Sequence, residues 1–125
     1  MSSFRTYPFD TGLLDDLSND PFPSALWAWN ESRLELPEGG THFGFLHQGR
    51  GHLVAKSGGF DVYEGMYFST EGACSIEGEG RGVVITRFGC KGFFSLGGPI
   101  EKVGRLRYID GCTDSLLIPP VLRGD

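Results

Sequence analysis

Glycine spacing constrains this chain more than any other feature. Between 39 and 111, breaks at Gly39-Gly40, Gly49/Gly51, Gly58-Gly59, Gly65, Gly72, Gly78/Gly80/Gly82, Gly89/Gly92 and Gly97-Gly98 cut the sequence into short pieces. Few of them could hold a helix of about ten residues. Glycine makes up 20 of the 125 residues, against a usual share of about 7%, and it shows no collagen period. Repeated tight turns account for it. The intervening pieces are rich in Phe, Val, Ile, Tyr and Leu, which suit a pleated surface, and they predict strands over 41–48, 52–56, 66–70, 73–76, 83–88 and 93–96. Short strands in regular alternation with turns imply an all-β fold, an antiparallel sandwich or barrel.

The strongest local signal is Phe45-Leu46-His47-Gln48-Gly49-Arg50-Gly51-His52-Leu53-Val54. A two-residue turn at Gly49-Arg50, with glycine where φ must be positive, predicts a hairpin that sets Gln48 opposite Gly51 and His47 opposite His52. Alternation along the first strand puts His42, Gly44 and Leu46 on one face and Phe43, Phe45 and His47 on the other. Both faces carry apolar bulk, so a second layer or a second subunit is expected over the outer one. Before this region, 25–36 reads as extended, with Trp27 and Trp29 on one face as packing residues rather than a carbohydrate platform. The first 24 residues form an irregular arm with Pro8, Pro21 and Pro23 and room for a short helix capped by Asp10. Glu77-Gly78-Glu79-Gly80-Arg81-Gly82 is expected as a hairpin turn, because its carboxylates would repel phosphate and no Lys-Ser/Thr ending follows. In the tail, Tyr108-Ile109 and Leu116-Leu117-Ile118 fit one or two closing strands before Pro119-Pro120.

Sixteen acidic and eleven basic residues leave a net charge of −5, which repels polyphosphates and anionic lipid and argues against nucleic acid as a partner. No apolar run reaches membrane-spanning length, and the start lacks the apolar stretch of a secretory signal, so a cytoplasmic protein is expected. Cys74, Cys90 and Cys112 form no Cys-x-x-Cys pair and read as reduced, mostly buried thiols. No Gly-x-Ser-x-Gly elbow supports hydrolase chemistry.

The hairpin over 45–54, followed by Gly58-Gly59-Phe60-Asp61 through Thr70-Glu71-Gly72-Ala73, resembles the two sequence segments of the cupins, small antiparallel jelly-roll barrels. The resemblance covers roughly 25–96 and implies a jelly-roll barrel at 25–112, with the arm at 1–24 and a closing strand or linker at 113–125. In metal-binding cupins the first segment carries His-x-His, a Glu and a Gly. With that Gly at Gly49, His42 takes the Glu position and Glu38 and Leu36 take the His positions. In the second segment, Thr70 stands for the proline and Ser75 for the histidine, with Cys74 beside it. The resemblance therefore implies a barrel that has lost most of its ligands, with Glu38 and His42 as the residual pair for one divalent transition metal ion. The stretch from Gly104 onward resembles a linker into a second barrel.

All three histidines, His42, His47 and His52, fall within eleven residues, and imidazole is the side chain best suited to metal ligation or acid–base work near neutrality. His42 is expected to face inward; His47 and His52 face outward. Glu38, His42, Tyr67 and Cys74 are the candidate ligand-binding residues of the barrel interior. The expected function is a non-catalytic domain, without a cofactor, that forms a homodimer or docks onto a second barrel and holds a small organic molecule. The alternative is a metal-dependent dioxygenase or isomerase using His42, Glu38 and one of the other histidines or Cys74, with Tyr63 and Tyr67 as further acid candidates.

Overall fold

The computed structural model describes residues 5–107 and 111–118. Twelve strands follow one another in this part of the chain: β1 Gly12–Leu17, β2 Ser24–Asn30, β3 Arg33–Leu36, β4 Gly40–Gln48, β5 Arg50–Ala55, β6 Gly58–Tyr63, β7 Tyr67–Glu71, β8 Cys74–Gly78, β9 Arg81–Phe88, β10 Ser95–Gly97, β11 Leu106–Arg107 and β12 Thr113–Asp114. Among the described residues no helix is long and apolar enough to cross a membrane.

The strands form two antiparallel layers, with orders β1-β2-β9-β4-β7-β10 and β3-β8-β5-β6, plus a small ribbon of β11 and β12. From β2 to β9 the chain crosses from the larger layer to the smaller after β2, β4 and β7 and returns after β3, β6 and β8. This is the wrapped double sheet of a jelly roll, as the glycine punctuation and the resemblance imply. β1 and β10 extend the first layer at its two edges. The layers enclose one core of Trp29, Leu34, Leu36, Leu46, Leu53, Val62, Met66, Phe68, Ile76 and Val84, with Cys74 among them. On β3, β5 and β8 the inward residues are apolar and the outward ones mostly polar, as a sheet with one wet face requires.

Several expectations are corrected. The 45–54 segment is not a hairpin, because β4 pairs with β7 and β9 while β5 pairs with β6 and β8. Gly49 has the positive φ expected of it, +75°, but it turns a corner between layers. His47 and His52 therefore lie on different sheets. A hairpin and a corner bury the same residues: Leu46 and Leu53 would be cross-strand neighbours in the first and instead meet across the core in the second. The two-residue turn exists one strand later, where Ala55 pairs with Gly58 around Lys56 and Ser57. The turn at 78–80 is likewise a crossing rather than a hairpin, since β8 and β9 belong to different layers.

The expected helix near Asp10 is instead β1, which pairs with β2 through a bulge between Leu13 and Asp15. β2 offers a row of unpaired backbone groups at the sheet edge, and the arm satisfies them. The extended stretch at 25–36 divides at Glu31, whose φ of +51° redirects the chain into the second layer. Trp29 is buried, and Trp27 is half-buried against the same core. In the tail, β11 and β12 form a two-stranded ribbon, and Leu116-Leu117-Ile118 do not form the strand expected of them; Tyr108, Ile109, Pro119 and Pro120 lie outside the described residues.

Candidate functional site

His42 stands on the inner face of β4 in a row with Thr70 of β7 and Thr86 of β9. All three side chains are buried. The imidazole is held at both nitrogens, with Nδ1 2.6 Å from Thr86 Oγ1 and Nε2 2.8 Å from the Pro37 carbonyl oxygen. A carbonyl can only accept, so Nε2 carries the proton and Nδ1 presents a lone pair. Thr86 must then donate its hydroxyl hydrogen to Nδ1. The same Thr86 oxygen accepts from Trp27 Nε1 at 2.9 Å. One chain of donors and acceptors results: Trp27 to Thr86 to His42 to the Pro37 carbonyl. Burial pushes the His42 pKa down, opposed by the backbone of Pro37 and Gly72 and by the charge of Glu38.

The four candidate interior residues do not converge. Cys74 faces the core from β8, and burial pushes its thiol up to about 12, far from the thiolate a metal requires. Glu38 is exposed at the rim, where its carboxylate lies 3.7 Å from Lys56 Nζ. Tyr67 lies on the outer face of the six-stranded sheet, not inside: it pairs with the outward Phe45 and packs its ring over Gly97. Tyr63, the other tyrosine considered as an acid, is exposed at the end of β6 on the outside of the smaller sheet. A small gap at β4 and β9, lined by Trp29, Phe45, Leu46, Phe68, Val83 and Val84 among others, does not admit a water molecule. A cleft of about 240 Å³ opens at the rim beside Glu38, Glu71, Cys90 and Lys91.

These residues do not fit the metal centre that the fold family implies. Both His42 nitrogens are engaged, the Glu38 carboxylate is turned to a lysine, and the Cys74 thiol is protonated. Among the described residues, no three His, Cys, Asp or Glu side chains gather as a ligand set; transition-metal sites take about three protein ligands.

Two outer surfaces carry more character than the interior. On the six-stranded sheet, Leu26, Ile85 and Phe43 form one cross-strand row and Ala28, Val83 and Phe45 the next. Ile85 is 51% and Val83 37% exposed. The segment after β9 is pinned beside them, because Thr41 Oγ1 donates to the Cys90 carbonyl at 2.7 Å and Ser69 Oγ to that of Phe93 at 2.7 Å. The arm reaches the other side, where Phe9 meets His47 edge-on at 5.4 Å. On the four-stranded sheet, a cleft of about 470 Å³ is lined by Arg50, His52, Asp61, Tyr63, Glu77 and Glu79. His52 Nδ1 lies 2.9 Å from Asp61 Oδ1.

Sequence reasoning placed His42 inward and missed its partners. Thr86 and Trp27 sit 44 and 59 positions apart from the groups they bond, and nothing local in the sequence links them. The cleft residues did carry a signal, the alternation Arg50/His52 and Asp61/Tyr63 on neighbouring strands, which the hairpin reading of 45–54 obscured.

No family model and no curated protein sequence matches this chain. Among solved structures, the chain is similar to the EutQ protein of Clostridium difficile, with 12% identity and a TM-score of 0.45 over 62% of this chain and 66% of that one. It is also similar to a variant of Bacillus subtilis oxalate decarboxylase, with 15% identity and a TM-score of 0.44 over 71% of this chain and 31% of that one. The match thus spans just under two thirds of the first protein and less than a third of the second. The strand order and layering are those of a jelly roll.

Proposed function

We propose that this chain is a non-catalytic cupin-like domain that pairs with a second copy of itself through the outer face of the six-stranded sheet. The observation that carries the proposal is the apolar centre formed by Leu26, Ile85 and Phe43 in one cross-strand row and Val83 and Phe45 in the next, with Ile85 half exposed; Asp15 of β1 ends the first row and is paired with Arg5 of the arm. A two-fold interface must be complementary to itself. An apolar centre meets that condition without further design, and the charges at its margin, Asp15, Arg81 and Arg87, include both signs, as a self-complementary face allows. Two such sheets pack face to face at about 10 Å.

The non-catalytic half of the proposal is supported by the commitment of His42 to Thr86 and Pro37 and by the cluster of buried apolar side chains between the sheets. It includes an interior without a transition metal and without an organic ligand. Three unpaired thiols accord with a reducing, cytoplasmic setting.

Sedimentation equilibrium of the whole chain tests the pairing. A concentration-dependent dimer that Ile85→Glu converts to monomer supports it; a strict monomer at every concentration overturns it. Elemental analysis of protein purified without chelator tests the other half, since a stoichiometric transition metal lost in His42→Ala would return the chain to the enzymes.

A further inference from the structure

We propose that the cleft on the outer face of β5, β6 and β8 binds a small zwitterion of the amino-acid type. It lies on the opposite layer from the proposed dimer face and does not rest on that reading.

The register builds the cleft. Arg50 stands opposite Tyr63, and His52 stands between Asp61 of β6 and Glu77 of β8, so that six polar side chains rise from three adjacent strands and the turn that follows β8. The cleft is open to solvent, and its volume of about 470 Å³ falls in the range of small-molecule sites. Charges within it are only partly matched. His52 holds Asp61, and Glu77 reaches Arg33 at 3.5 Å on the neighbouring strand. Arg50 and Glu79 form no ion pair among the described residues, although they line the same cleft.

An unpaired cation and an unpaired anion on one open cleft are bridged best by a molecule carrying both charges. Arg50 offers a planar fork to a carboxylate. Glu79, beside Arg50 where the Gly51–Gly78 pairing continues, offers acceptors to an ammonium group. On the other side of Arg50 from Glu79, Tyr63 is 49% exposed and presents an aromatic surface to the apolar part of the ligand.

The test compares three isosteric probes by amide chemical-shift titration of the isotope-labelled full chain: L-leucine, 3-methylbutylamine (leucine without its carboxylate) and 4-methylpentanoate (leucine without its ammonium). L-leucine is expected to shift the Gly51 and Gly78 amides saturably, at an affinity on the order of 1 mM, with the two single-charge probes about tenfold weaker or more. Arg50→Ala should bring leucine down to the level of the amine, and Glu79→Gln should bring it down to the level of the acid. Both side chains are exposed, and unchanged amide shifts away from the cleft verify that the variants fold. Equal binding of all three probes, indifference of leucine to either variant, or no saturation by roughly 50 mM overturns the proposal.

Discussion

His42 illustrates how one residue can keep its place in a fold while its chemistry is spent elsewhere. Its Nδ1 accepts from Thr86, its Nε2 donates to Pro37, and the Thr86 oxygen also serves Trp27. Thr86→Val removes the donor to one buried group and the acceptor of another, so a loss on the order of 2–3 kcal/mol is expected in chemical denaturation, more than an isosteric swap alone would give. Acid should act through the same site. Burial lowers the His42 pKa in the folded state, so the unfolded chain takes up a proton first. Stability is then fully present above the ordinary histidine pKa of about 6.5 and is lost as pH falls from there through the lowered folded value, at up to about 1.4 kcal/mol per pH unit. His42→Gln should flatten that part of the stability profile. If the variant keeps the wild-type slope below neutrality, another group is responsible. The thiols should be graded as well. Cys112 is exposed and Cys74 is buried with its pKa pushed up to about 12, so iodoacetamide at mildly alkaline pH is expected to label Cys112 in the native protein and Cys74 only after unfolding, read by peptide mass mapping.

At the scale of the elements, the corner between β4 and β5 does what the sequence suggests for a hairpin. Gly49 supplies the positive φ, and Gly51, two residues on, lets the Trp29 ring lie directly against the backbone of β5. A methyl group at 51 would overlap that ring and crowd the Glu77 carbonyl on β8. Gly51→Ala should therefore cost about 1–3 kcal/mol by overpacking, and a second substitution, Trp29→Leu, should recover the ring's share of that loss in a double-mutant cycle while the share due to the Glu77 carbonyl remains. Additive losses would mean that the alanine strains β5 by itself. The same reasoning explains β1. A bulged, partly polar strand at a sheet edge is weak alone and exists because β2 has an open edge beside it.

For the molecule as a whole, the two layers present opposite outer surfaces. The four-stranded sheet is wet and charged; the six-stranded one carries an apolar centre flanked by the arm and by the segment after β9. If that centre pairs with a second copy, the midpoint of thermal unfolding should rise with protein concentration, and Ile85→Glu should abolish the dependence while leaving the fold intact by circular dichroism. A midpoint independent of concentration in the unaltered chain would contradict self-association. Addition of transition metal should leave the midpoint unchanged, because both His42 nitrogens are already engaged.

Glycine breaks and period-two alternation were enough to predict the class of fold, the approximate extents of β4, β5, β7, β8 and β9, and the inward face of β4 with His42 and Leu46 on it. Those features depend on local backbone freedom and on which side of a strand meets water, and both are written in neighbouring residues. Strand partners are not local. Leu46 and Leu53 are buried equally well by a hairpin or by a corner, and the choice between them follows from closing every backbone hydrogen bond in two layers at once. The same holds for His42: a histidine on an inner face is a ligand or a pillar according to what stands beside it, and Thr86 arrives there only when β9 pairs with β4.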